Sequence, residues 1–465
     1  MERSSIRKIS EWLWEIPRSF RNDMRVSARF YASESMLGQT LADRSLEQLV
    51  NVATLPGIVG HAIAMPDIHE GYGFPIGGVA AFDPDEGVIS PGGIGYDINC
   101  GVRLLASGLR FESVAEKIPA LAREIYKRVP SGVGQGNRIT FSLNQLDRVL
   151  HEGAPCMVEF GYGEKEDLAR IESNGVLEAA HPARVSPQAK QRGKDQLGTM
   201  GAGNHFIEID RVSEIFDTEA SGRMGLFEGQ VVLQLHTGSR GLGHQIATDS
   251  IRTMNRVMPA YGITVPDREL GCVPFRSPEG QDYFRAMSAG ANFAWANRQL
   301  TTWEIRQAWL AVIGHDPLRV VYDVAHNIAK LETHEVDGTD RELLVHRKGA
   351  TRAFPGQPVI IPGSMGTASF VLEGEPSSML QSFGSSCHGA GRRMSRSRAR
   401  QTVQEVRLMK QQEEMGISVM AGSMAALAEE APEAYKDIAD VVGTVAAAGI
   451  ARKVAGLAPV GIMKG

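Results

Sequence analysis

The sequence predicts an α/β (α+β) protein with mixed β-sheets and surrounding helices, and three observations carry the prediction. Short β-rich runs recur that end in a polar or histidine residue followed by a glycine-rich turn. Segments with helical periodicity stand between them. The chain holds 51 glycines, which calls for many tight turns and for close backbone approach of the kind found in phosphate-binding loops.

In chain order, Ile118, Leu121, Ile125 and Val129 line one face of a helix. "GAGNHFIEID" passes from a glycine turn into a strand that starts near His205. In "VVLQLHTGSRGLGHQ", residues 231–235 read as a buried strand with His236 at its end, and Gly238, Gly241 and Gly243 form a loop into a helix. A second helical period covers residues 300–312. "LRVVYDVAHNIAK" repeats the strand-and-histidine device, with strand 320–324 and His326 at its exit. Tyr435, Ile438, Val442 and Val445 give the last helical face. The stretches 213–229 and 262–280 are polar, carry Gly or Pro and lack a period, so they are expected to be surface excursions.

Composition bounds the function. Length alone is a soft prior for two or three units, and no repeat, low-complexity tract or linker divides the chain. Lys and Arg total 49 against 54 Asp and Glu, a formal charge of -5. A whole-surface coat for nucleic acid is therefore excluded, and any such contact must use a local basic cleft. No signal-peptide pattern or membrane-length apolar run is present, so the expected location is the cytosol with no membrane partner. The four cysteines are scattered and do not suggest a disulfide framework. Cys156 and Cys272 read as core.

Chemistry gathers at "SPGGIGYDINCGVRLL". Asp97 and Cys100 lie three apart in a glycine-bounded turn, where a hard carboxylate oxygen and a soft, bridging-capable sulfur can converge on one cation. Alone, a cysteine entering a strand is more often packing. The three strand-end histidines, His205, His236 and His326, shift the balance toward a metal centre. Five donors exceed one structural tetrahedral site, so an open site or a bridged pair of ions fits, with zinc, manganese and iron all allowed. His69 and His244 are intermediate and read as supporting residues. His61, His151, His181, His315 and His334 have no comparable setting.

The motifs "GYDINCGVRLL", "LGTMGAGNHFIEI", "LHTGSRGLGHQ", "VAHN", "HRKGATRA", "PGSMGTASF", "SSCHGAGRRMSR" and "PVGIMKG" together resemble the RtcB family of RNA-splicing ligases. The resemblance runs from about residue 65 to the C-terminus, and it implies one RtcB-like domain over 1–465 with a central metal and nucleotide cleft. It implies a GTP-dependent ligase joining an RNA 3'-phosphate or 2',3'-cyclic phosphate to a 5'-hydroxyl. Two Mn²⁺ ions would be held by Asp97, Cys100, His205, His236 and His326, with Cys100 bridging. It leaves open the need for an archease-type activator.

His388 would be the nucleophile toward the GTP α-phosphate. The flanking Gly389, Ala390 and Gly391 leave room for phosphate, and Cys387 would be a packed neighbour. Guanine recognition would fall to Asn204, His205, Phe206, Ile207, Glu208, His326, Asn327, Pro362, Gly363, Ser364, Met365, Ser369 and Lys464. Glu208 can accept from guanine N1 and N2 while Lys464 donates to the carbonyl, a pattern adenine cannot satisfy. Tyr435 would stack on the base or serve as core. Arg192, Lys348, Arg392 and Arg393 would meet RNA phosphates, whereas Arg396, Arg398 and Arg400 divide evenly between that role and a solvated helix face. A dinuclear metallophosphoesterase or nuclease could use the same donors but gives His388 and the guanine motif no task. A noncatalytic RNA-binding module is disfavoured by the lack of an overall basic surface.

Overall fold

The computed structural model describes residues 1–314 and 316–465. His315 lies outside the described residues. The expected mixture of sheets and helices is observed. One mixed sheet orders its strands Arg7–Lys8, Leu13–Ile16, Ala28–Tyr31, Ile58–His69, Ile76–Phe82, Thr339–Lys348 and Asn327–Val336. A second runs Arg319–Ala325, Gly101–Arg110, Gln230–Thr237, Phe206–Ile215, Ala451–Lys464, Ser369–Gly374 and Pro358–Ile361. Ser418–Ala421 adds to it, parallel to Ala451–Lys464.

The two sheets share a joint. Arg319–Ala325 ends one and Asn327–Val336 opens the other, so His326 occupies the single residue of passage between them. In the second sheet Val102 and Phe206 both pair with His236. This register brings the three strand ends that the sequence marks with histidine, and the turn before Gly101, to one edge.

A 35-residue helix, Pro278–Val312, runs through the middle. Ser277 caps it by accepting from the Gly280 N–H at 3.1 Å, and Pro278 fills the first turn where no N–H is needed. The expected helix at 300–312 is only its last third. Its central part, rich in Ala, Ser, Gly and Asn, is buried on every face, so no amphipathic stripe marks it.

Polar residues of this helix tie the ligand-bearing loops together. Asn297 accepts from the Gly198 N–H (2.7 Å) and the Thr199 N–H (3.1 Å) and donates to the Gly238 carbonyl (2.9 Å). Arg298 donates to the Asn99 (2.8 Å) and Thr237 (2.9 Å) carbonyls and, in a two-pronged contact, to Asp323 (2.9 Å each). Arg103 reaches the same carboxylate at 2.8 Å. These groups are fully buried, so each must be paired, and the pairing makes the loops one unit.

The excursions are less exposed than expected. Within 213–229, Thr218–Met224 is a helix with Ala220, Ser221 and Met224 buried. Within 262–280, Leu270, Cys272, Val273 and Phe275 are core, because Val273–Pro274 pairs with Val88–Ile89. All four cysteines are free and buried. No helix among the described residues is long and apolar enough to cross a membrane.

Candidate functional site

The turn before Gly101 is held open toward one cleft. Asn99 sits at φ +53° and spends its side chain on the Ala291 carbonyl at 2.7 Å. The Cys100 carbonyl accepts from the His326 N–H at 2.9 Å, and the Asn99 N–H donates to the Asn327 carbonyl at 2.7 Å. Asp97 and Cys100 are thereby fixed against the joint of the two sheets.

Five donors meet there. The Cys100 Sγ lies 3.4 Å from His205 Nε2 and 3.2 Å from His236 Nε2. His205 Nε2 is 2.8 Å from Asp97 Oδ2, and His236 Nε2 is 3.3 Å from His326 Nε2. The ligand atoms of Cys100, His205 and His236 all fall within 4.8 Å of one another. His205 Nδ1 donates to the Met200 carbonyl at 2.9 Å, which turns the Nε2 lone pair to the cleft.

This donor set fits a metal. Burial, then the neighbouring imidazoles, push His236 and His326 well below the usual histidine range, so both rings stay neutral, with lone pairs to offer. Two neutral Nε2 atoms, a sulfur and a carboxylate packed this closely gain most from a shared cation.

His388 borders the cluster, its ring 4.9 Å from that of His326. Ala350–Arg352 pairs with Ser385–Cys387 and delivers His388 to this edge. Gly349, at φ +59°, lets the segments approach, since a Cβ there would stand 2.2 Å from Ile76 and 3.1 Å from the His388 ring. The fully buried Asp67 carboxylate accepts from the His388 N–H at 3.0 Å and from Nδ1 at 2.6 Å through one oxygen. Nδ1 therefore holds the proton, and Nε2 keeps a free lone pair.

Asp67 is in turn clamped. The Lys436 ammonium, which burial lowers to about 8, donates to the carbonyls on either side of it, Pro66 (3.0 Å) and Ile68 (2.5 Å). Gly391 at φ +74° must lack a side chain, because a Cβ would meet the Asp67 carbonyl at 2.2 Å.

Two cavities open from this point. The narrower is lined by Asn204, Phe206, Glu208, Pro362, Gly363, Ser364, Met365, His388, Gly389, Ala390, Gly391, Tyr435 and Lys464. Burial, then Asp210, raises the Glu208 carboxyl well above its ordinary range, and burial raises Asp210 to about 7. No hydrogen bond reaches the Glu208 carboxylate among the described residues. The wider cleft, of about 1080 Å³, is lined by Asp97, Arg192, His205, Arg240, Arg396 and Arg400 among others.

The family model for the tRNA-splicing ligase RtcB matches residues 48–465. The chain is 52% identical to the tRNA-splicing ligase RtcB of Thermococcus kodakarensis, over 99% of both chains. It is 49% identical to that of Archaeoglobus fulgidus over 99% of both, and 48% identical to that of Methanococcus maripaludis over the full length of both. The chain belongs to the RtcB family.

Within this RtcB fold the remaining expected residues separate. Ile207 faces the core. Asn327 is a stitch, donating to the Asp97 carbonyl at 3.1 Å and accepting from the Gly349 N–H at 2.9 Å. Ser369 accepts from the Gly363 N–H at 3.0 Å and so holds the "PGSM" turn. Tyr435 lies ahead of its expected helix, which begins at Ile438; its hydroxyl bonds Glu430 and takes a 2.9 Å bond from Arg392. Arg392 thus faces the narrow cavity, and Arg393 donates to the Glu433 carbonyl at 2.7 Å. Lys348 is buried and donates to the Tyr72 carbonyl and, at 3.1 Å, to that of Phe74. Arg192, Arg396 and Arg400 line the wider RtcB cleft together with Arg240.

Two residues escaped the sequence reading. Asp67 lies in "AIAMPDIH", where one acid inside an apolar run was the available signal. Arg240 follows "HTGS" and takes φ +53°, a conformation disfavoured for a long side chain. Its guanidinium stands 3.3 Å from both Thr199 Oγ1 and His205 Nδ1.

Proposed function

We propose that this chain is a cytosolic, GTP- and manganese-dependent RNA ligase of tRNA splicing or RNA repair. It joins a 3'-phosphate, or a 2',3'-cyclic phosphate once hydrolysed, to a 5'-hydroxyl. The observation that carries the reading is His388, with Nδ1 bonded to Asp67 and Nε2 free, between the donor cluster and the narrow cavity.

In the first step His388 Nε2 attacks the GTP α-phosphorus. A P–N bond forms, the bond to pyrophosphate breaks, and Asp67 stabilises the positive charge that the ring acquires. An oxygen of the RNA 3'-phosphate then displaces His388, giving an RNA 3'-diphosphoguanosine end. Finally the 5'-hydroxyl attacks the 3'-phosphorus, its proton is lost to solvent, and GMP leaves.

Asp97, Cys100, His205, His236 and His326 would hold two Mn²⁺ ions. Bound there, the ions would neutralise phosphate charge and lower the pKa of an attacking hydroxyl. Guanine N1–H and N2–H would donate to Glu208 and so favour its ionised form, which burial and Asp210 disfavour, while Lys464 would serve the carbonyl. Arg192, Arg396 and Arg400 attract the RNA backbone.

The test is end-joining by purified protein with Mn²⁺. RNA bearing a 3'-phosphate and RNA bearing a 5'-hydroxyl should be sealed with GTP and not with ATP. Loss of the 3'-phosphate without joining would instead indicate a phosphoesterase, and equal sealing with ATP would overturn the guanine assignment.

A further inference from the structure

The wider cleft holds an aromatic surface that the chemistry above does not use. Tyr96, adjacent to Asp97, stacks on His244 with ring centroids 4.8 Å apart and planes at 25°. Tyr72 supports Tyr96 edge-on, with centroids 5.4 Å apart at 62°, and the Lys348 ammonium stands 6.0 Å from the Tyr72 ring centroid. Three rings and a cation thus form a short ladder from the interior to the cleft. Its outermost ring, His244, is exposed.

His244 lines the cleft beside Arg192 and Asp97. Burial, then the Arg192 charge, disfavours the protonated form of this ring. Among the described residues stacking is what holds that ring, with no hydrogen bond to either nitrogen. Arg396 and Arg400 line the same cleft, where Glu429 is paired with both. A flat neutral face beside guanidinium groups suits a nucleobase whose phosphates are held on either side.

We propose that the Tyr96–His244 pair is a stacking platform for the base at the RNA end entering this cleft. The ladder behind His244 keeps the face rigid, so stacking costs little ordering. Because every base has a π-face, the platform should accept any of the four, as an enzyme that joins varied ends requires. The proposal rests on the ligase reading for the identity of the occupant.

The test uses the full-length protein with Mn²⁺ and short single-stranded RNAs carrying 2-aminopurine as the last base, at the 3'-phosphate end or at the 5'-hydroxyl end. Stacking quenches this fluorophore. The unaltered protein should quench one of the two probes, and which one identifies the strand. His244→Phe should retain the quench, whereas His244→Ala should lose it and weaken binding of that RNA about tenfold. An abasic residue in place of the probe should make binding insensitive to His244→Ala. Absence of quenching in both arms, equal quenching by His244→Ala, or loss of it in His244→Phe would overturn the platform. End-joining by the unaltered protein is measured in parallel; its failure would count against the ligase reading, independently of the quench.

Discussion

Replacing Asp67 with Asn tests how the proposed nucleophile is prepared. One carboxylate oxygen accepts two hydrogen bonds from His388, from the backbone N–H at 3.0 Å and from Nδ1 at 2.6 Å. The other oxygen is buried and has no partner among the described residues. An amide of the same shape must either put its NH₂ at that unpartnered place or turn it toward Nδ1. The first choice buries two unpaired donors, and the second moves the ring proton to Nε2 and blocks attack. Either way the negative charge that matches a developing imidazolium is gone. A charge-assisted bond of this kind is worth about 2–3 kcal/mol, and at ~1.4 kcal/mol per decade the first step should slow about 30- to 150-fold. The assay is single-turnover transfer of label from α-phosphate-labelled GTP to protein, with bound Mn²⁺ measured in parallel. Asp67→Asn should keep its metal and lose rate. A folded variant that labels within twofold of the parent rate would refute the reasoning.

Further outcomes follow from the same geometry. Cys100→Ala should fold, show reduced bound manganese by elemental analysis and transfer no nucleotide; full metal occupancy would contradict a shared sulfur. Glu208→Ala should lower GTP labelling and narrow the preference of GTP over ATP, read by competition of the two nucleotides. For Glu332, burial favours the neutral acid, but Arg347 and His334 override it and hold the carboxyl at about 2. Its folded pKa is therefore depressed, so its stabilisation is present above about 4.5 and lost as pH falls toward 2, and is worth about 3 kcal/mol at pH 7. Glu332→Gln should lose about that much in urea unfolding at pH 7 and little near pH 2.

The sheets and the donor cluster were legible for a local reason. Each of His205, His236 and His326 follows or precedes a β-rich run, and a glycine turn adjoins His205 and His236, neighbours that set a strand end within a few residues. What the sequence could not reveal depends on contacts across the chain. Asp67 meets His388 over 321 residues, and a lone acid in an apolar run has no local signature. The central part of Pro278–Val312 carries no stripe because it is buried on every face. Leu270 to Phe275 looked polar only because their flanks are. Tyr435 matched the period of the following helix, yet the chain turns at Pro432–Ala434, which frees the ring for the cavity.

Arg392 and Lys348 show the same limit for charge. Their neighbourhood in sequence puts both beside the site; in the fold Arg392 faces Tyr435 and Glu430, and Lys348 is buried under Tyr72, where burial lowers it to about 7. A basic residue beside a site motif indicates proximity to the site. Which cavity it serves is decided by tertiary contacts.

The most direct test of the central claim is to locate the covalent nucleotide. The protein is incubated with Mn²⁺ and α-phosphate-labelled GTP, digested under alkaline conditions that preserve a phosphoramidate, and the labelled peptide is mapped by mass spectrometry. The account predicts guanylate on His388, absent from His388→Ala although that variant still binds manganese. Label on another residue, label persisting in His388→Ala, or no covalent nucleotide in a protein that nonetheless seals RNA would contradict it.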